Sequence, residues 1–174
     1  MQQKFDQIKK RYEEFHRELL KSGKLTFRET EKGYWGISVL DDVFKLFNKI
    51  ELHKYKNLID IGSGDGRVAL IASLFTNATG IEFDKELHDC AIKLMNDLNL
   101  KTALLNKDFL EENLSKYDII YTFPDKPIPR DIEQKLLKEL KGKLIVYGPH
   151  FHPEQLNKQE TLEINGTKIC IYEK

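Results

Sequence analysis

Apolar positions recur along this chain in two rhythms, three-to-four residues apart in some stretches and every second residue in others. Phe5, Ile8, Tyr12, Phe15 and Leu19 follow the first rhythm within the charged stretch Met1 to Lys21, which predicts one amphipathic helix. A polar connector then leads to Thr30–Ile37, where Gly33 and Gly36 around the only tryptophan, Trp35, predict a loop. A second helix is predicted from Ser38, capped with the help of Asp41, with Val39, Leu40, Val43, Phe44, Phe47 and Ile50 on its apolar face. Leu58, Ile59 and Ile61 form a short buried strand, followed by a glycine turn and a helix over Val68–Leu74.

Further strands are predicted at Ala78–Phe83, Thr102–Asn106, Tyr117–Phe123 and Lys143–Tyr147. The helices between them are one capped by Asp84, with Leu87, Cys90, Ala91, Leu94 and Leu98 inward, and one over Arg130–Leu140 that Gly142 ends. Glu160–Ile164 and Thr167–Tyr172 alternate around Asn165-Gly166, a two-residue hairpin signal that sets Leu162 opposite Ile169 and Glu163 opposite Lys168. The pattern is α/β: a doubly wound, mostly parallel seven-stranded sheet closed by a C-terminal antiparallel hairpin. Residues 38–174 form the main domain, and residues 1–37 extend it with a helix and a loop. The helix stripe packs on its own domain or, alternatively, joins two copies as a homodimer; the chain is otherwise expected to be a monomer.

Composition narrows the chemistry. Lys+Arg and Asp+Glu both number 28, so no net charge favours nucleic acid or an anionic membrane, although a local basic patch can still serve. Two cysteines, Cys90 and Cys170, do not make a disulfide framework or a metal motif and read as core residues. No apolar run reaches membrane-spanning length and the N-terminus is charged, so a soluble cytoplasmic protein is expected.

The chemical signal is Asn57–Arg67, Asn-Leu-Ile-Asp-Ile-Gly-Ser-Gly-Asp-Gly-Arg. Glycines can take positive φ and bring bare backbone to a ligand, and the amides that open the next helix favour an anionic group there. The dinucleotide fingerprint G-x-G-x-x-G needs its last glycine for close helix packing, and Arg67 stands at that place. Asp60 at the strand end suits an ammonium better than a pyrophosphate. The stretch resembles motif I of the class I, seven-strand S-adenosylmethionine-dependent methyltransferases.

That resemblance implies a donor site at Asp60, Gly62, Ser63, Gly64 and Gly66. Glu82, 20 residues beyond Gly62 at the end of the next strand, would accept the ribose hydroxyls, with Phe83 beside the adenine. Asp108 and Phe109 match by position an acid near the adenine amine and an apolar contact to its ring, although Asp108 serves equally as a helix cap. Tyr34, with Trp35, offers an aromatic wall for a sulfonium. Thr122, Phe123, Pro124 and Asp125 follow the fourth main strand, where the acceptor should meet the methyl group. Adenine amino-methyltransferases carry Asn or Asp, then Pro-Pro and an aromatic there; Thr-Phe-Pro-Asp departs from that. The glycine stretch with an acid-tipped next strand is most similar to the protein-lysine methyltransferases of the fold, which implies a nitrogen acceptor on a protein substrate. RNA, tRNA or small-molecule acceptors, or a module that binds the donor without catalysis, are the alternatives. No metal is expected: His150 and His152 lack further ligands, and they stand instead as general-base candidates.

Overall fold

The period-2 segments pair into a single sheet in the computed structural model, which describes residues 1–174. A small hairpin, β1 (Arg28–Thr30) with β2 (Gly33–Trp35), precedes it. The sheet consists of β3 (Asn57–Ile61), β4 (Asn77–Glu82), β5 (Ala103–Asn106), β6 (Ile119–Thr122), β7 (Lys143–Tyr147), β8 (Asn157–Ile164) and β9 (Thr167–Glu173). Their order is β5-β4-β3-β6-β7-β9-β8. Pairings from β5 to β7 are parallel, and β9 is antiparallel to both neighbours. Leu162 faces Ile169 and Glu163 faces Lys168, as the Asn165-Gly166 turn requires.

Helices α1 (Gln2–Lys21), α2 (Leu40–Lys49), α3 (Arg67–Ala72), α4 (Lys85–Asp97) and α5 (Arg130–Glu139) cover the sheet. Strand alternation feeds two cores. Leu58, Ile119, Tyr121, Ile145, Ile169 and Ile171 face the larger one, under α1 to α4. Ile59, Ile61, Ile120, Leu144, Val146 and Cys170 face the smaller one, under α5. Cys90 and Cys170 are both free thiols. No helix is long and apolar enough to cross a membrane.

The α1 stripe is consumed within the chain: Phe5, Ile8, Tyr12 and Phe15 are buried, and the Phe5 ring stacks on Phe44 with centroids 4.0 Å apart. It covers this chain's own core, so the stripe is not free to join a second copy.

Two local expectations fail. The loop around Trp35 is half of the β1–β2 hairpin, whose three-residue strands are too short to show alternation. Ser38 does not cap α2: its hydroxyl shares a 3.0 Å hydrogen bond with the Tyr121 hydroxyl, while Asp41 pairs with Lys9 at 2.6 Å. Tertiary partners outbid the local cap for both side chains.

Candidate functional site

Strand order reverses between β3 and β6, so the connections leaving their carboxyl ends diverge and leave a crevice. A cavity of about 380 Å³ lies there. It is lined from the β3–α3 turn, the ends of β4 and β6, the β1–β2 hairpin, and the segments over 107–110 and 123–129. Its volume falls in the range of small-ligand sites.

The glycine turn forms the floor. Gly62, Gly64 and Gly66 have φ of 74°, 54° and 79°, conformations that side chains rarely adopt. A Cβ at Gly62 would meet nothing within 4 Å, so its backbone lies open to the cavity. One at Gly64 would come within 2.7 Å of Trp35 Nε1, and one at Gly66 within 2.8 Å of Ala91 Cβ on α4. The third glycine therefore provides the close helix approach that a dinucleotide fingerprint assigns to a later position.

Expected bare amides are mostly engaged. Gly62 and Ser63 N–H both donate to the Ile81 carbonyl at 3.0 Å, Gly66 donates to Ser63, and Gly64 donates to Glu82 Oε2 at 2.8 Å. The turn is thereby laced to β4, and the amides of Gly62, Ser63, Gly64 and Gly66 already have protein acceptors.

Carboxylates dominate instead. Asp60 is buried, and its Oδ2 has no hydrogen-bond partner. Burial, then repulsion from Glu82 and Asp65, pushes its carboxyl well above the usual range. Glu82 accepts from the Gly64 and Asp84 amides, which leaves lone pairs on both oxygens, and burial raises it too. A buried acid without a partner beside a cavity is a place that calls for a cationic or hydrogen-donating ligand.

Phe83, Asp108 and Phe109 line the flank next to Glu82. Asp108 caps the short turn at Leu110 and also lines the cavity. It also forms an ion pair with Lys32, whose Nζ lies 4.1 Å from the Phe83 ring centroid.

On the opposite flank, Thr122, Phe123, Pro124 and Asp125 line the cavity together with Tyr34. Phe123 is 41% exposed and packs edge-on against Tyr147. Asp125 Oδ2 accepts from the Tyr34 amide at 2.6 Å, which pins the hairpin over the site. Trp35 lies buried on the glycine turn, whereas Tyr34 turns outward and stacks on Phe27, with centroids 5.5 Å apart. The aromatic wall thus divides, with one ring on the floor and one on the rim. Neither histidine joins the site: His150 is exposed, His152 Nδ1 bonds the Tyr172 hydroxyl, and neither lines the cavity.

Sequence reasoning missed the scaffold behind the floor. Arg67, at the place of the dinucleotide fingerprint's last glycine, grips Asp65, with its Nε at 3.0 Å and its Nη2 at 2.5 Å from the carboxylate. Its remaining donors reach the Ser38 carbonyl and His16 Nε2, and the Tyr12 hydroxyl donates to the Asp65 carbonyl at 2.8 Å. Tyr12 and His16 lie four residues apart on α1, a spacing that offered the one sequence signal for this contact.

No family model and no curated protein sequence matches the chain. Solved structures do. An RNA methyltransferase of Salinibacter ruber, in complex with S-adenosyl-L-homocysteine, superposes with a TM-score of 0.65 at 18% identity, over 78% of this chain and 92% of that one. The tRNA (uracil-54, C5)-methyltransferase of Pyrococcus abyssi gives 0.63 at 14% identity, over 75% of this chain and 38% of that one. A 16S rRNA N2 methyltransferase of Thermus thermophilus, in complex with AdoMet and guanosine, gives 0.61 at 19%, over 78% and 42%. The fold is that of the class I S-adenosylmethionine-dependent methyltransferases. In this chain the N-terminal helix is clamped to the glycine turn and the hairpin is pinned across the crevice.

Proposed function

We propose that this protein is an S-adenosylmethionine-dependent methyltransferase whose acceptor is a base in RNA. The observation that carries the donor reading is Asp60 Oδ2, buried and without a partner at the edge of a cavity floored by Gly62. In this reading Asp60 answers the ammonium of the donor's amino acid. Glu82 accepts from the ribose, Phe83 and Phe109 sandwich the adenine, and Asp108 meets its amine. Gly62, Ser63, Gly64 and Gly66 keep the floor flat. When bound, S-adenosylmethionine supplies a methyl on a positively charged sulfur, already activated for transfer. The protein then has to align the acceptor and exclude water.

The acceptor half of the reading is supported by the rim. Tyr34 and Phe123 line the crevice with 51% and 41% of their surface exposed, and Phe27, 62% exposed, stacks on Tyr34; such exposed rings are suited to stacking on an unpaired base. Lys32, Lys107 and Lys126 line the same mouth among the carboxylates of Asp60, Asp65, Glu82, Asp108 and Asp125, so charge does not choose the acceptor and the exposed rings carry this half of the reading. Three proteins sharing the fold are named as RNA methyltransferases. The fold itself does not choose: another neighbour is a mitomycin 7-O-methyltransferase. The likeness to protein-lysine methyltransferases rests on the glycine turn and Glu82, which belong to the donor side and carry no information about the acceptor. Thr122, Phe123, Pro124, Asp125 and Tyr34 are the residues assigned to acceptor placement.

The test is incubation with methyl-tritiated donor and separate RNA, protein and small-molecule fractions. Label is expected in RNA and absent with Asp60→Ala. Label confined to protein would replace the base with a lysine, and donor binding without label anywhere would reduce the protein to a binding module.

A further inference from the structure

Lys32 sits at the turn of the β1–β2 hairpin, and its side chain reaches across the crevice to the flank assigned above to adenine. Two contacts define its position. Its ammonium lies over the face of Phe83 at 4.1 Å from the centroid, and it donates to the Asp108 carboxylate. An adenine in this subsite would use the same two features, with its ring on Phe83 and its exocyclic amine toward Asp108. Both cannot hold them at once. We propose that Lys32 is an affinity-determining residue of the donor site, an internal stand-in for adenine that the purine must displace. The inference rests on the donor reading of the cavity.

The hairpin itself need not open for this exchange. The Lys32 carbonyl accepts from Lys126 Nζ at 2.6 Å, the Tyr34 amide is held by Asp125, and the Thr30 hydroxyl donates to the Gly33 carbonyl. Gly33, at φ +152°, has the Asp125 carboxylate directly against it, so the tip lies close to that loop. Only the four-carbon stem of Lys32 has to rotate. Its ammonium then goes to water at the mouth, since almost half of the side chain is already exposed.

Asp108 responds to this partner. Burial would raise its carboxyl, and the Lys32 ammonium together with the Leu110 amide outweighs burial and holds it below the usual range. Removing the ammonium frees both the ring face and the carboxylate. A binding-competent state that was a fraction of the population becomes the whole of it, and apparent affinity rises by the reciprocal of that fraction. A cation–π contact and a partly exposed ion pair together correspond to a factor of about ten.

The experiment is calorimetric titration of S-adenosylhomocysteine and of adenosine into the wild-type chain, Lys32→Met, and the control Lys24→Met. Lys24 belongs to an exposed ion pair with Glu86 outside the cavity. Lys32→Met should bind both ligands about tenfold more tightly than wild type, and Lys24→Met should match wild type. Unchanged or weaker binding by Lys32→Met, with heat still measured in the wild type, overturns the inference and leaves the donor reading standing. No heat from any of the three proteins overturns the donor reading, and the inference with it.

Discussion

Asp65 and Arg67 are both buried inside the glycine turn, where a charge without its partner is costly. Asp65 is 1% exposed and is satisfied only because Arg67 forks onto it, and Arg67 in turn needs an acceptor at His16 Nε2. That bond requires a neutral imidazole, with its proton on Nδ1. Burial, then the Arg67 charge, lowers the His16 pKa. As pH falls below about 6.5, the unfolded chain takes up this proton before the folded one does, so His16 makes unfolding easier as pH drops through that window. Melting temperatures from pH 7.5 to pH 5 should therefore fall more steeply for the wild type than for His16→Gln, whose amide accepts from Arg67 without titrating. Parallel curves would mean that His16 does not titrate against the Arg67 contact. The glycines, Asp60 and Glu82 were legible in the sequence because their spacing is local. The Asp65–Arg67–His16 chain was not, because it joins residues 51 apart.

At the scale of elements, α1 supports the glycine turn as well as the core. Its apolar stripe could be read from spacing, but Tyr12 read there only as an apolar body, and its hydroxyl finds the Asp65 carbonyl 53 residues away. Tyr12→Phe keeps the ring and loses the donor, an expected cost of about 1 to 2 kcal/mol in denaturant unfolding. Arg67→Met strands the Asp65 carboxylate in the interior and should cost about 3 to 5 kcal/mol. Equal, negligible effects of both would mean that α1 merely rests on the turn. The β1–β2 hairpin escaped prediction for a related reason. Its strands hold three residues each, and it is fixed by Asp125 and Lys126, far along the chain.

For the molecule as a whole, the strand sequence and the closing hairpin could be read from alternation and turn chemistry, whereas the order of strands in the sheet, with β6 returning to pair with β3, is set by long-range pairing. What covers the crevice could not be read in this way, because Trp35, Tyr34 and Lys32 reach it from a segment outside the repeating strand–helix units. The proposed function requires the crevice to receive an adenosyl amino acid in a defined direction. A crystal soaked with S-adenosylhomocysteine tests this directly. The prediction is adenine on Phe83 with its amine toward Asp108 and Lys32 swung out, ribose on Glu82, and the amino group at Asp60. A crevice that stays filled by Trp35 and Lys32, or a ligand bound away from Asp60, would contradict it.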